Sequence, residues 1–198
     1  MAEKTIFQRI AANMPTTIQP RFVRKAREWF RDQAEQVKRV NQRKLFRNAD
    51  HRTVTDIGYD AIGSMFFYTY DPKLKDKLPY YDMFPLVFPI EIYNDGWLGL
   101  NLHYLPPALR ARLMDALYSI TLKEKGGKQQ VQASYELLKA TRRFRYFKPC
   151  VKRYLADHVR SQIIFIEPKD WDMALLLPMQ KFVKKSEDQV WKESESKI

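Results

Sequence analysis

The hydrophobic residues in the middle of the chain form three short runs that are typical of β-strands. Aromatic residues dominate the first run, Met65 to Tyr70, and the turn pair Asp71-Pro72 follows it. The other two runs are Phe84 to Tyr93 and Trp97 to Tyr104, with Asn94-Asp95-Gly96 between them. Because Asp-Gly favours the positive φ of a tight turn, this spacing predicts a β-hairpin.

Two prolines fall within the second of these runs. Pro85 and Pro89 cannot donate hydrogen bonds to a neighbouring strand. They predict that this strand lies at an edge of the sheet or contains a bulge. The three runs together predict a small, curved antiparallel sheet or a partial barrel.

The N-terminal part of the chain has a helical pattern instead. Pro20 suits the start of a helix, and apolar residues then recur at roughly helical spacing: Phe22, Ala26, Trp29, Phe30, Val37 and Val40. Most positions between them are basic, and Glu28, Asp32 and Glu35 offset only part of that charge. The pattern predicts a helix with one apolar stripe and one basic face. Such a helix can dock on its own domain, reach a partner or lie on a membrane, although the interspersed carboxylates disfavour the membrane.

The residues after Pro106 are expected to be mainly helical. Three apolar stripes indicate helices, at Leu109, Leu113, Ala116, Leu117 and Ile120, at Val131, Tyr135, Leu137 and Leu138, and, after Pro149, at Val151, Leu155 and Val159. The β-branched run Ile163 to Ile166 predicts a strand that returns to the sheet, and Trp171 to Leu177 predicts a helical turn. From Lys181 onward the chain is polar and charged, so its order is expected to depend on contacts outside the domain.

These patterns predict an α+β fold, in which a small antiparallel β-sheet or partial barrel is flanked by helices and carries a basic N-terminal helical arm. Residues 1–48 are predicted to form that arm. Residues 49–180 are predicted to form the α+β core domain, and residues 181–198 a polar C-terminal tail.

The net charge of the chain indicates which kinds of partner it binds. The formal net charge is +12 and the sequence pI is about 9.7, which favours nucleic acid or an acidic protein as the partner. Cys150 is the single cysteine, so no intrachain disulfide can form, and it is expected to be a small buried residue. No signal peptide or membrane-spanning run is recognised, and no membrane partner is expected.

The basic residues concentrate in two places, which are the predicted binding sites. The first, the arm cluster, consists of Arg24, Lys25, Arg27, Arg31, Arg39, Arg43 and Lys44. The second, the central cluster, consists of Arg142, Arg143, Arg145, Lys148, Lys152 and Arg153. Lysine and arginine neutralise phosphates and release counterions. Phe144, Tyr146, Phe147 and Tyr154 alternate with the central cluster; they are expected to fill the core rather than to stack on bases.

Motifs for catalysis are missing from the sequence. His51, His103 and His158 lie far apart, no HExxH or CxxC pattern is present, and Gly126-Gly127-Lys128 lacks the spacing of a phosphate-binding loop. We expect no enzyme, no metal and no cofactor, and His103 is interpreted as a structural histidine in a strand. One alternative from another class is a metal-dependent nuclease that uses carboxylates of the β part: Asp56, Asp60, Asp71, Asp82, Glu91 and Asp95.

Three stretches resemble a virion protein family of T4-like contractile-tailed bacteriophages. They are Tyr70 to Lys73 with Leu78 to Val87, Gly99 to Pro106 with Arg112 to Asp115, and Phe144-Arg145 with Phe147 to Lys152 and Trp171-Asp172. The resemblance covers roughly Ile57 to Trp191 and leaves the N-terminal arm outside it. The chain is similar to proteins of the DNA end protector type, or alternatively to a neck or baseplate component.

This resemblance implies a non-enzymatic structural protein of the virion that is made in the host bacterial cytoplasm. An end protector would bind packaged double-stranded DNA at the head–tail region and shield its ends from exonuclease. A tail or baseplate subunit would instead use the same basic surfaces on other virion proteins. The family motifs carry no catalytic residue, so no site is transferred from them.

Overall fold

The hairpin predicted at Asn94-Asp95-Gly96 is the centre of the sheet. A computed structural model describes residues 53–55, 57–111, 113, 147–167 and 170–198. In it β4 (Leu86–Tyr93) and β5 (Gly96–Asn101) pair from Tyr93 opposite Gly96 to Val87 opposite Asn101. Gly96 has a φ of +147°, so the turn uses the backbone freedom that only glycine supplies without strain.

The other strands extend this hairpin on both sides. They are β1 (Thr53–Val54), β2 (Met65–Phe67), β6 (Val151–Leu155) and β7 (Ile163–Ile166). The resulting six-stranded sheet has the order β1-β7-β2-β4-β5-β6, and each pairing is antiparallel. Two further short strands, β3 (Tyr81–Asp82) and β8 (Phe182–Val183), pair with each other.

Helices in the described part of the chain are short. Residues 107–111 are helical, followed later by α1 (Trp171–Leu176) and α2 (Glu187–Glu195). Single 3-10 turns occupy Tyr59–Ala61, Leu102–Tyr104 and Ala156–His158. Ser186 and Gln189 form a reciprocal capping box that starts α2. None of the helices described has the length and apolar content required to cross a bilayer.

Both faces of the sheet are buried. Alternate strand residues point to opposite sides, so the strands contribute side chains to two different cores. One face contributes Met65, Leu86 and Leu100 to a core that includes α1 and Val190 of α2. The opposite face holds a second core of Phe66, Val87 and Ile163 together with four aromatic side chains that are linked by five ring contacts: Tyr68, Tyr70, Trp97 and Tyr154. Burial on both faces stabilises a sheet that is formed from such short strands.

The α+β prediction is confirmed, and of the two predicted forms, an antiparallel sheet or a partial barrel, the described residues form the sheet. The predicted strand at Ile163 to Ile166 and the helical turn at Trp171 are also confirmed. The predicted N-terminal helical arm lies outside the described residues.

The prediction that the strand with Pro85 and Pro89 lies at an edge or contains a bulge is confirmed in its second form: the register shifts between Pro89 and Glu91, and β4 lies between β2 and β5. Two other expectations about individual elements were wrong. The helix expected after Pro149 is strand β6, whose pairing with β5 overrides its helical spacing. His103 lies in a 3-10 turn, not in a strand.

The C-terminal segment also departs from its polar appearance. Phe182 of β8 and Trp191 of α2 pack against the first core, and Val190 is fully buried in it. The indole Nε1 of Trp191 donates to the carbonyl of His103 at 2.9 Å. Residues after Lys181 therefore pack on the same core as the strands before them, contrary to the expectation that their order depends on outside contacts.

Candidate nucleic-acid interface

The positive charge of the chain is unevenly divided between the described residues and the rest. The described residues hold 13 Lys and Arg against 14 Asp and Glu. The whole chain has a net charge of +12, so the excess lies in the residues outside the described ranges. Those residues include the whole arm cluster and Arg142, Arg143 and Arg145 of the central cluster.

The structure describes three of the predicted binding residues, and they lie at or just before strand β6. This strand pairs with β5 and is last in the sheet order among the described strands. Lys148 is exposed and stands between two buried residues, Phe147 and Pro149. Its ammonium group therefore faces solvent at the point where the chain enters the sheet from Arg142–Arg145.

Arg153 is used within the fold. Its guanidinium donates to the carbonyl of Trp97 at 3.2 Å and to the carbonyl of Tyr154, and it pairs with the carboxylate of Asp95. It also lies over the ring of Tyr93, 4.4 Å from the centroid. Because these partners surround the β4–β5 turn, Arg153 braces the hairpin, with 35% of its side chain still exposed.

Lys152 is engaged in a different way. Its Nζ lies 4.0 Å from the centroid of the Tyr104 ring, a cation–π contact. Burial lowers the pKa of Lys152 to about 8, because the ammonium form loses water around it. The buried Phe147 and Tyr154 confirm that these two aromatic residues belong to the core.

A second basic surface, which the sequence analysis did not identify, surrounds residues 72–78. We call these residues the lysine loop, since Lys73, Lys75 and Lys77 are all exposed. The backbone turns tightly, with the amide of Lys75 donating to Pro72 at 3.1 Å and the amide of Leu78 donating to Leu74 at 3.0 Å. Lys75 also pairs with Asp71, four residues earlier, at 3.1 Å.

Lys184 holds the lysine loop from the other side. Its ammonium donates to the carbonyls of Lys75, Asp76 and Leu78, at 2.7, 3.0 and 2.8 Å. Lys184 has a φ of +75°, the only positive φ at a non-glycine residue that the structure describes. This left-handed conformation costs free energy, and the three bonds to one ammonium group offset that cost.

Six of the 13 described Lys and Arg residues belong to this region. They are Lys73, Lys75, Lys77, Lys181, Lys184 and Lys185. Lys181 and Lys185 lie beside β8, which pairs with β3, and Lys185 contacts Glu193 and the ring of Tyr80. Basic residues thus collect at one end of a module whose overall charge is close to zero.

The carboxylates required by the nuclease alternative do not come together in the described part of the chain. Asp82 is buried and accepts hydrogen bonds from His103, Asn101, Phe84 and Lys181. Asp71 pairs with Lys75 and Asp95 with Arg153. Asp56 and the side chain of Asp60 lie outside the described residues. Among those described, no group of three His, Cys, Asp or Glu side chains is placed to hold a metal ion.

A cleft of about 360 Å³ borders β1 and β7, but its chemistry does not suit a phosphate. Its walls are formed by neutral residues: Thr53, Val54, Thr55, Trp97, Ala156, Val159, Ser161, Gln162 and Ile163. A phosphate there would meet hydroxyl and amide groups without a cation. The basic surfaces are therefore the better candidates for contact with nucleic acid.

A family model for the phage T4 terminal DNA protecting protein matches residues 8–194. The chain belongs to this family. The match decides between the resemblances left open by the sequence motifs, in favour of the DNA end protector type. A comparison with curated proteins and another with solved structures found no match.

The extent of the match to the terminal DNA protecting family corrects one expectation. The sequence motifs placed the resemblance from Ile57 to Trp191 and left the basic arm outside. The family model begins at residue 8, so the arm cluster lies within the matched region. The motif search missed this because a basic amphipathic segment has no distinctive residue pattern of its own.

The lysine loop could have been noticed in the sequence only as the alternation Lys73, Lys75, Lys77. That signal is weak, since alternating lysines are common on solvated surfaces. Its anchor Lys184 is 109 residues from Lys75, and no local pattern connects the two.

Proposed function

We propose that this protein binds the ends of packaged double-stranded DNA in the phage particle and shields them from exonucleases. The main support for this proposal is the family match over residues 8–194. Protection of this kind requires occupancy of the DNA end and no chemical step, which agrees with a non-enzymatic, structural role in the virion. We place the protein at the head–tail region, where the end of the packaged DNA would lie.

The charge distribution supports this proposal. The described residues carry 13 cationic against 14 anionic side chains. The net charge of +12 therefore comes from the residues outside the described ranges and is not spread evenly along the chain. The arm cluster and Arg142, Arg143 and Arg145 of the central cluster supply ten of the 22 Lys and Arg residues outside the described ranges. Contacts between lysine or arginine and phosphates supply most of the affinity for DNA, and they do not depend on the base sequence of the DNA.

Within the central cluster the residues have different parts in the proposal. Lys148 and the three arginines before it contact phosphates directly. Lys152 and Arg153 add positive charge to the same edge from positions that are already engaged with Tyr104 and with the hairpin turn. The arm cluster follows the duplex away from its end.

The test is protection of a linear, blunt duplex from a double-strand exonuclease by the full-length protein. One variant carries Arg142→Ala, Arg143→Ala and Arg145→Ala. A matched control carries Arg160→Ala, Lys192→Ala and Lys197→Ala, which removes the same charge from exposed positions of the module. We expect the first variant to protect poorly and the control to protect like the natural protein.

Salt dependence provides a second readout of the same contacts. The slope of log K against log salt should fall by about 3 in the arginine variant, since each lost phosphate contact removes about 0.9 from it. An unchanged slope would contradict the assignment of these arginines.

Two outcomes would replace the proposal itself. If the natural protein binds no DNA even at low salt, the protein is a tail or baseplate subunit that acts through protein contacts only. If DNA is cut when it is incubated with the protein and Mg²⁺ or Mn²⁺, the nuclease alternative holds.

A further inference from the structure

Leu74 at the tip of the lysine loop is exposed in a way that differs from the other apolar residues described. Three large apolar side chains in the described part of the chain are more than a third exposed: Tyr59 at 75%, Leu74 at 54% and Tyr93 at 41%. Tyr93 is covered on one face by Arg153, and Tyr59 is followed by Asp60. Leu74 alone of these three has exposed lysines on both sides, Lys73 and Lys75.

The loop that presents Leu74 is held in one shape. Lys184 bonds three of its carbonyls, and at its start the amide of Asp71 donates to the carbonyl of His158 at 3.1 Å. The pairing of β3 with β8 fixes the base. An exposed apolar side chain on a braced loop loses little conformational entropy when a partner covers it.

The end of a duplex has a chemistry that fits this arrangement. Its last base pair shows one open, apolar stacking face, whereas the interior of the duplex shows only grooves and phosphates. Phosphates of both strands lie at the rim of that face. A surface that recognises the end therefore needs an apolar group in the middle and cations around it, whatever the sequence.

We propose that the lysine loop caps the terminal base pair of the DNA. Leu74 packs on the open face of that pair, and Lys73 and Lys77 contact the phosphates at its rim. This inference rests on the proposed function and deepens it: the arm and central clusters hold the duplex, and the lysine loop distinguishes its end. Asp71 and Glu193 are already paired with Lys75 and Lys185 within the fold, and Lys73 and Lys77 are the exposed cations that this inference assigns to the phosphates.

The test uses blunt duplexes that carry 2-aminopurine either at the terminal pair or in the interior. The full-length protein should change the fluorescence of the terminal probe and leave the interior probe unaffected. Leu74→Ala should abolish the terminal signal and reduce the preference for linear over circular duplex by about tenfold, since a partly buried leucine contributes about that much. Tyr59→Ala is the matched control, because it removes a more exposed apolar side chain from another surface.

The lysines are tested separately. Lys73→Ala with Lys77→Ala should weaken binding to linear duplex and leave the fluorescence change at saturation intact. Both substitutions are at exposed positions, so circular dichroism should show an unchanged fold.

The failure of this inference is distinguishable from failure of the proposed function. If the natural protein protects ends and Leu74→Ala does so equally well, the lysine loop is not the cap and the proposed function stands. If the natural protein shows no preference for ends, the proposed function fails first. If Leu74→Ala instead abolishes binding to phosphatidylserine vesicles while end protection is unchanged, the loop is a membrane contact and the inference is overturned.

Discussion

The carboxylate of Asp82 lies 2.8 Å from Nδ1 of His103, and both side chains are fully buried. The same carboxylate accepts from Asn101 Nδ2 and from the amides of Phe84 and Lys181, each at 3.1 Å. It therefore joins β3, the end of β5 and the chain before β8. Burial alone would raise the pKa of Asp82, but the bonds from His103, Lys181 and Asn101 outweigh it and lower the pKa.

Replacement of Asp82 by alanine should strongly destabilise the protein. The change leaves two buried donors, on His103 and Asn101, and the partly buried amides of Phe84 and Lys181 without their acceptor, which costs about 3 kcal/mol of unfolding free energy. Urea denaturation followed by tryptophan fluorescence measures this loss. Asp157→Ala, at an exposed carboxylate, is the control and should change the unfolding free energy by less than about 0.5 kcal/mol. Equal effects of the two substitutions would contradict the assigned role.

The free energy of unfolding should decrease as the pH is lowered below about 6.5, the ordinary pKa of histidine. Burial lowers the pKa of His103 in the folded protein, although Asp82 partly opposes that shift. Below the ordinary histidine pKa the unfolded chain therefore takes up a proton that the folded protein does not, and stability falls by about 1.4 kcal/mol per pH unit. The low pKa of Asp82 adds a further loss below about pH 4.

The measurement is urea denaturation of the natural protein and of His103→Gln at several pH values between 5 and 7, a range set by the ordinary histidine pKa of about 6.5. His103→Gln should be less stable at neutral pH but lose less stability on acidification. Parallel pH dependence in the two proteins would show that another group is responsible.

Arg110 should be irreplaceable by lysine. Its buried guanidinium donates to the carbonyls of Leu105, Leu175 and His103 and to Gln180, at 2.6, 3.2, 3.3 and 3.2 Å. An ammonium group cannot reach four acceptors in this fork arrangement. We expect Arg110→Lys to cost about 2 kcal/mol and Arg110→Met about 3 kcal/mol in thermal or urea unfolding. Gln180→Ala should cost less, because it removes one of the four bonds.

Gly96→Ala should disrupt the contact between the hairpin and β6. The φ of +147° is strained for alanine, and a Cβ at this position would lie 2.1 Å from the carbonyl oxygen of Tyr154. We expect a loss of about 3 kcal/mol. Hydrogen exchange should show faster exchange at the β5–β6 amides than at the β2–β7 amides. Uniform protection across the sheet would mean that the backbone adjusts without loss of pairing.

Local signals predicted the elements whose structure is decided locally. The β4–β5 turn follows from Asn94-Asp95-Gly96, and β7 from the β-branched run Ile163 to Ile166. The position of Pro89 was not predictable in the same way. Whether its strand is central depends on pairing with β2, about 20 residues earlier.

Strand β6 shows why spacing alone failed. Val151, Leu155 and Val159 fit a helical stripe, and the segment Val151 to Leu155 shows no alternation of apolar and polar residues that would have indicated a strand. The pairing of Trp97 with Tyr154, and the aromatic core behind it, select the strand. Such non-local packing is not visible in a window of a few residues.

The candidate interface was predictable to the same extent. Sequence located the two runs of basic residues, because charge is a property of composition. It did not show that Arg153 braces a turn or that Lys152 lies against Tyr104, since both partners are about 50 residues away. The lysine loop was missed because its shape depends on Lys184.

The bonds from Lys184 also connect parts of the chain that the ribosome makes at different times. The carbonyl of Lys75 in the lysine loop is bonded by Lys184, which is synthesised 109 residues later. The carboxylate of Asp82 is bonded by Lys181, which is synthesised 99 residues later. A chain interrupted before β8 would carry the same lysines without the braced loop. If the lysine loop caps the DNA end as proposed, an incomplete translation product that lacks β8 could not take the place of an intact protein at that end.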